Sequence, residues 1–300
     1  MNRAKKMMFP YGFLLPSFIL TIVLGIYPIG WAMRYMFYDY KGYGEERFIG
    51  LDNFARVMGD HEYWDAVWNT FLYAGGKLAL SLPLSLILAV ILNRGIRGKG
   101  LLRALLFMPT IISTAVMAVV FFTIFNSYNG ILNQFLIKYK LTAGLIDWLG
   151  TDYAMLTVII VAVWGAVGNY MLLFLAGLQN IPQDVYESSS LDGANKWQQF
   201  RYITIPMLGP VMQMIIMLAI INALKGYESI MVMTDGGPAG KTNVMFLYVY
   251  KLFFPTAGGA AATQVQEMGY GSAVAFITAL IVGLITIAYF YGSRRLNRSG

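Results

Sequence analysis

The sequence predicts an all-α, polytopic membrane protein with six spanning helices in a single transmembrane domain over residues 1–300. Three observations carry that prediction. The 300 residues are 58% hydrophobic and 12% charged, against about 25% charged in a soluble domain; mean hydropathy is +0.59. The missing charge is gathered into six apolar stretches of about the 20 residues that a spanning helix needs. The charges left between those stretches sort by sign from one loop to the next.

The stretches are roughly 11–33, 67–92, 101–125, 154–177, 206–233 and 272–292. The first follows a short basic segment (Arg3, Lys5, Lys6) and superficially resembles a signal peptide. It is too long for a typical signal core, and Arg34-Tyr-Met-Phe-Tyr follows where a small-residue cleavage site would stand, so it reads as the first span. Pro16, Pro28, Pro83, Pro109 and Pro210 lie within these stretches, which spanning helices tolerate better than soluble ones. The fifth is the least uniform, with Lys225 and Glu228 inside it.

Orientation follows from Lys and Arg in short loops. With the N-terminus inside, segments 1–10, 93–103, 178–205 and 293–300 face the cytoplasm. They hold Arg3, Lys5, Lys6, Arg94, Arg97, Lys99, Arg103, Lys196, Arg201, Arg294, Arg295 and Arg298, against the acids Asp184, Glu187 and Asp192. The opposite segments 35–66, 126–153 and 234–271 carry seven basic and eleven acidic residues. Both termini and the 178–205 loop are therefore expected in the cytoplasm. This sorting accounts for the net charge of +7 better than a nucleic-acid partner does.

Several chemistries are excluded. There is no cysteine, hence no disulfide, iron–sulfur cluster or thiol nucleophile. One histidine, His61, does not make a His-based metal centre. No GxxxxGK[ST] phosphate loop is present; Gly95-Ile-Arg-Gly-Lys-Gly has the wrong spacing. If ATP drives this protein, another subunit binds it.

The 178–205 loop is the most informative polar stretch. Pro182 suits the first turn of a helix, and Asp184 and Glu187 complement that helix's dipole. Gly193 ends it with a sharp turn, and Asn195 is placed to cap a second helix. Trp197, Phe200 and Ile203 would form that helix's apolar face. Ser188, Ser189, Gly193 and Ala194 give a small-residue surface that another protein can approach closely, and Glu187 and Asp192 offer charge to Arg or Lys on it. On physical grounds alone, an amphipathic hairpin lying on lipid headgroups fits equally well.

A resemblance shifts that balance. Leu178-Gln-Asn-Ile181-Pro182, Tyr186-Glu187, Asp192-Gly193-Ala194, Phe200, Ile203 and Pro206 look like the coupling loop of the sugar-importer branch (carbohydrate uptake type 1) of binding-protein-dependent ABC permeases. Asn69-Thr70 and Thr234-Asp235-Gly236-Gly237-Pro238 resemble the same family, and the likeness runs from about residue 11 to 295. Ser188 and Ser189 stand where the family usually has Ala, and Asp235 where it more often has Gly. The resemblance implies a membrane subunit of an ATP-driven importer that is not itself an enzyme. Its partners would be a second, related permease, two ATPase subunits that use ATP and Mg, and an extracytoplasmic solute-binding protein, in the cell membrane. The chain itself would bind no cofactor. Glu187, Ser188, Ser189, Asp192, Gly193 and Ala194 would form the ATPase contact, with Glu187 pairing a basic residue and Gly193 permitting the bend. Transport would proceed by alternating access.

Polar groups at membrane depth mark a candidate path: Lys77, Trp164, Asn169, Asn222, Lys225, Tyr227 and Glu228. The resemblance puts sugar-contacting positions around Gly165, Ala166, Asn169, Asn222, Ala223 and Gly226. Lys225 and Glu228 are three residues apart and would alternatively pair with each other; Lys77 would alternatively be packed beside Gly75-Gly76 with Glu228 as its partner. Within the resemblance, glycerol-3-phosphate competes with a neutral sugar, because Lys77 and Lys225 would suit a phosphate. An ion-coupled secondary transporter would show repeated halves, which are not seen. An intramembrane enzyme lacks a second carboxylate inside a span.

Overall fold

The computed structural model describes residues 13–255 and 266–296. The basic residues Arg3, Lys5, Lys6 and Arg298 lie outside the described residues, as does 256–265. In chain order the elements are α1 (Phe13–Phe37), a short antiparallel pair β1 (Tyr38–Asp39) and β2 (Arg47–Phe48), α2 (Asp52–Met58), α3 (His61–Asn93), α4 (Lys99–Ile111), α5 (Thr114–Ile124), α6 (Ile131–Lys138) and α7 (Ala154–Gln179). They continue with α8 (Gln183–Leu191), α9 (Lys196–Gln199), α10 (Ile205–Met207), α11 (Gly209–Leu224), α12 (Glu228–Met233), α13 (Met245–Phe253) and α14 (Met268–Leu296).

Among the described residues the protein is all-α apart from one two-stranded ribbon. Among the described residues five helices are long and apolar enough to cross a membrane, or six if the bent pair α4–α5 counts as one span. That pair is the first departure from the sequence reading. The stretch 101–125 is two helices meeting at 95° rather than one rod; Ile112 and Ser113 take extended backbone between them. The fifth stretch is also interrupted. Leu208 separates α10 from α11, and Lys225–Tyr227 separates α11 from α12. Irregular backbone at membrane depth is tolerated where it lines a cavity or is packed in protein.

The chain packs as two units, Met1–His61 with Val249–Leu280, and Glu62–Tyr248 with Ile281–Gly300. In the first, α1 exposes its apolar surface throughout its most hydrophobic window. Below it, Asn53 is buried and its Nδ2 donates to the Met36 and Tyr38 carbonyls, both at 3.0 Å. Arg56 pairs with Glu267 and lies 3.8 Å over the Tyr270 ring. Arg34 pairs with Glu46 at 2.7 Å.

In the second unit α7 is the central helix, with most of its length buried. Small residues let neighbours approach it closely, as in membrane helix packing generally. A Cβ on Gly168 would meet the Phe107 Cα at 2.9 Å, and one on Gly177 would meet Val211 at 2.8 Å. Ser85 of α3 donates to the Val167 carbonyl at 2.9 Å. Two apolar clusters result, one around Tyr73, Met117, Val158 and Ile230, the other around Leu92, Phe174, Leu208 and Ile215.

Candidate functional site

Two places in the second unit hold the residues singled out from the sequence. The first is the 178–205 loop. Pro182 stands at the N-cap of α8 with extended ψ of 137°, one position before the first turn where it was expected. Its fixed φ suits either place. α8 ends where Gly193 turns left-handed at φ +82°, a conformation that glycine adopts without steric penalty. Asn195 caps α9 with a full capping box: its Oδ1 accepts from the Gln198 amide at 2.9 Å, and Gln198 Oε1 accepts from the Asn195 amide at 2.8 Å.

The two short helices are tied by Gln199, which the sequence reading passed over. It is 4% exposed. Its Nε2 donates to the Tyr186 carbonyl at 3.2 Å, Ser189 Oγ at 3.0 Å and Ser190 Oγ at 2.8 Å. The Tyr186 hydroxyl reaches Thr204 Oγ1 at 3.0 Å, closing the other end. Ser189 is half-buried and serves that tie, while Ser188, Asp192, Gly193 and Glu187 are exposed and Ala194 is half-buried. Glu187 accepts a hydrogen bond from Gln183 at 3.1 Å.

The expected Trp197–Phe200–Ile203 face holds for its first pair only: the Trp197 and Phe200 rings lie 5.8 Å apart and line one pocket, whereas Ile203 lines another. The helix widens to π geometry over Phe200–Thr204, so the step of three from Phe200 to Ile203 no longer stacks side chains. Trp197 is 69% exposed, whereas Phe200 and Ile203 are half-buried. Leu191 at 89% and Tyr202 at 72% are, with Trp197, the exposed large apolar side chains of the loop.

The second place is a cavity of about 400 Å³, within the range of small-molecule sites. Of the path residues, Lys77, Gly165, Ala166, Asn169, Asn222, Lys225, Gly226, Tyr227 and Glu228 line it. The breaks in the helices bring them together: Lys225–Tyr227 is the gap between α11 and α12, and Pro109–Thr114 brackets the α4–α5 bend. Gly226 lies where a Cβ would press on the Tyr73 ring at 2.9 Å. Two expected residues lie elsewhere. Trp164 packs edge-on against Phe121, ring centres 5.1 Å apart, and Ala223 is buried outside the lining. Neither suggested ion pair forms: among the described residues Lys77, Lys225 and Glu228 have no ion-pair partner. Tyr73, Thr110, Thr114, Tyr170 and Ser229 also line the cavity. Tyr73 was findable, one turn before Lys77 on α3.

The separate stretches Asn69-Thr70 and Thr234–Pro238 prove to be joined. Asn69 Nδ2 donates to the Gly240 and Asn243 carbonyls at 2.9 and 3.0 Å, and Thr70 Oγ1 accepts from the Met245 amide at 2.9 Å. Thr242 bonds Thr234 at 2.8 Å and the Gly237 carbonyl at 2.6 Å, closing the turn. Asp235 has φ +47°, in the left-handed region that favours glycine. That accounts for Gly being the more usual residue there in the family that this turn resembles.

Residues 81–298 match the family described as "Binding-protein-dependent transport system inner membrane component". The chain belongs to that family. It is therefore an inner-membrane transport component, and the matched range takes in the whole 178–205 loop and all of the cavity wall except Tyr73 and Lys77. Among its relatives, the trehalose/maltose transport system permease protein MalF of Thermococcus litoralis is 32% identical over 93% of this chain and 91% of that one. The lactose transport system permease protein LacF of Rhizobium radiobacter is 30% identical over 94% of this chain and 93% of that one. In fold, the chain superposes on a bacterial ABC transporter involved in the import of the acidic polysaccharide alginate, with TM-score 0.82 at 22% identity over 98% of this chain and 99% of that one.

Proposed function

We propose that this permease is one of two related membrane subunits of an ATP-driven importer that carries a sugar or oligosaccharide. In this reading both termini and the 178–205 loop are cytoplasmic, as the Lys and Arg distribution supports. The loop docks onto an ATPase dimer that uses ATP and Mg, and an extracytoplasmic solute-binding protein delivers the cargo. The ATPase-contacting group is Glu187, Ser188, Asp192, Gly193 and Ala194, with Ser189 holding the loop in shape from within. Loaded binding protein and ATP favour an outward-facing state, and hydrolysis restores the inward-facing one.

The observation that carries the cargo class is that relatives named for trehalose/maltose and lactose transport match more than nine-tenths of this chain. The cavity supports it with amides at Asn169 and Asn222, each able to donate and accept, beside the aromatic rings of Tyr73, Tyr170 and Tyr227. The observation that supports the coupling role is the loop itself, a rigidly tied pair of helices with an exposed acid and a left-handed glycine at its tip.

The test is a pair of substitutions in the intact transporter. Glu187→Lys should leave the protein inserted but weaken its hold on the ATPase at least tenfold. Gly193→Val forces a β-branched residue to φ +82°, at about 1–2 kcal/mol, and should let ATP hydrolysis proceed without transport. Normal transport by both variants would remove the coupling role from this loop.

A further inference from the structure

Outside the loops, ionisable side chains in the apolar stretches are few, and three of them (Lys77, Lys225 and Glu228) line the same cavity. Their settings differ. Lys225 is exposed and sits at the C-terminal cap of α11, where the helix dipole favours a cation. Glu228 is exposed three residues later. Lys77 has no such support. It is the middle residue of α3, 16 residues from His61 and 16 from Asn93, so about 24 Å along the axis from either end.

A lysine near a helix end reaches the membrane surface along its own stem. From the middle of a span, with the interface about 15 Å away, that escape is closed. Lys77 is half-buried and faces the cavity. Among the described residues its ammonium has neither an ion-pair nor a hydrogen-bond partner; the Tyr73 ring, with Nζ 5.8 Å from its centre, is a weak neighbour. A charge held at this depth ordinarily faces a polar pathway and is matched by something that passes along it. Lys77 included, the cavity holds two cations against one carboxylate, together with the Asn169 and Asn222 amides.

We infer that the cargo of this importer is an anionic saccharide, carrying a carboxylate or phosphate group that Lys77 receives while the amides and tyrosines hold the sugar ring. This rests on the sugar-importer reading above and narrows its substrate class. A neutral sugar would leave the Lys77 ammonium unmatched at every step of transport. A uronate or a sugar phosphate compensates it on entry and is released as the cavity opens to water.

The experiment uses the whole transporter in its native cells, with this chain deleted or replaced. Three probes are offered: a mixture of uronic-acid oligosaccharides, the same mixture after its carboxyl groups are reduced to neutral sugars, and a mixture of hexose 6-phosphates. Uptake that depends on this chain is expected for an acidic mixture and not for the reduced one; whether uronates or phosphates enter identifies the anion. Lys77→Met should cut that uptake at least tenfold, and Lys77→Arg should restore most of it. Lys225→Gln, at an exposed position, gives a second reading should Lys77→Met fail to insert, and should reduce acidic uptake severalfold. Chain-dependent uptake of the reduced mixture alone, with Lys77→Met at the wild-type rate, overturns the inference and leaves the importer reading standing. So does a Lys77→Met protein that loses its partner permease on purification without changing selectivity, because the lysine then pairs across the subunit interface. If none of the three enters through this chain but a mixture of neutral disaccharides does, the inference falls and the importer reading stands; if that mixture fails as well, both fall.

Discussion

Gln199→Met isolates the tie that holds the 178–205 loop in shape. Methionine is close to glutamine in length and volume, so the buried slot stays filled, and what is lost is hydrogen bonding. The Gln199 amide reaches three acceptors at 2.8–3.2 Å, namely Ser190 Oγ, Ser189 Oγ and the Tyr186 carbonyl. Its NH₂ has two hydrogens, so about two full bonds are lost on that side, at a net 0.5–1.5 kcal/mol each; the bond that Oε1 accepts from Lys196 Nζ at 3.3 Å is lost as well, but the exposed ammonium exchanges it for water at little cost. The Tyr186 carbonyl is not orphaned, because Ser189 and Ser190 also donate to it at 2.8 Å. The loss is therefore about 1–3 kcal/mol, confined to the joint between α8 and α9. Amide hydrogen exchange in a lipid nanodisc reads this directly. Amides of 187–204 should exchange roughly five- to a hundredfold faster, at about 1.4 kcal/mol per factor of ten, with α7 unchanged. A rise of less than twofold in the loop, or an equal rise in α7, would refute Gln199 as the local tie.

Two further substitutions probe the scaffold. Gly168→Val should lower the thermal midpoint by an amount corresponding to about 1–3 kcal/mol, because a side chain there meets the backbone of α4 rather than a flexible end; an unchanged midpoint would show that α4 shifts freely. Asn69→Leu should loosen the 234–243 turn by a similar amount through two lost bonds to the Gly240 and Asn243 carbonyls, seen as proteolytic cleavage there that the parent resists.

The helices were legible because apolar length is a one-dimensional signal, and α3, α7 and α14 fall on the stretches that hydropathy marks. The breaks were not. Ile112 sits inside a run that stays apolar across it, so hydropathy cannot register two residues of extended backbone, and at Gly226 the charges of Lys225 and Glu228 mark an irregular span without showing that the helix stops. Yet those breaks assemble the cavity from α3, α4, α5, α7, α11 and α12. In the loop, Gly193 and Asn195 were readable because left-handed turns and caps restrict residue type. Gln199 was not, since one glutamine in a polar stretch carries no periodic signal. Trp197 and Phe200 do share a face, and only Ile203 misled, because its spacing from Phe200 presumed α geometry where the chain turns π. Trp164 misled for another reason. A tryptophan at membrane depth serves packing as readily as a pathway, and only the Phe121 contact decides between them.

This permease is expected to work through partners that grip the 178–205 loop. The most direct test is gentle detergent purification of the chain from its native cells, with the co-purifying proteins identified. A second six-span permease and an ATPase carrying a phosphate-binding loop should co-purify, with the ATPase lost when Glu187→Lys is the bait. Recovery of the chain alone, transporting in proteoliposomes on an ion gradient without ATP, would contradict it.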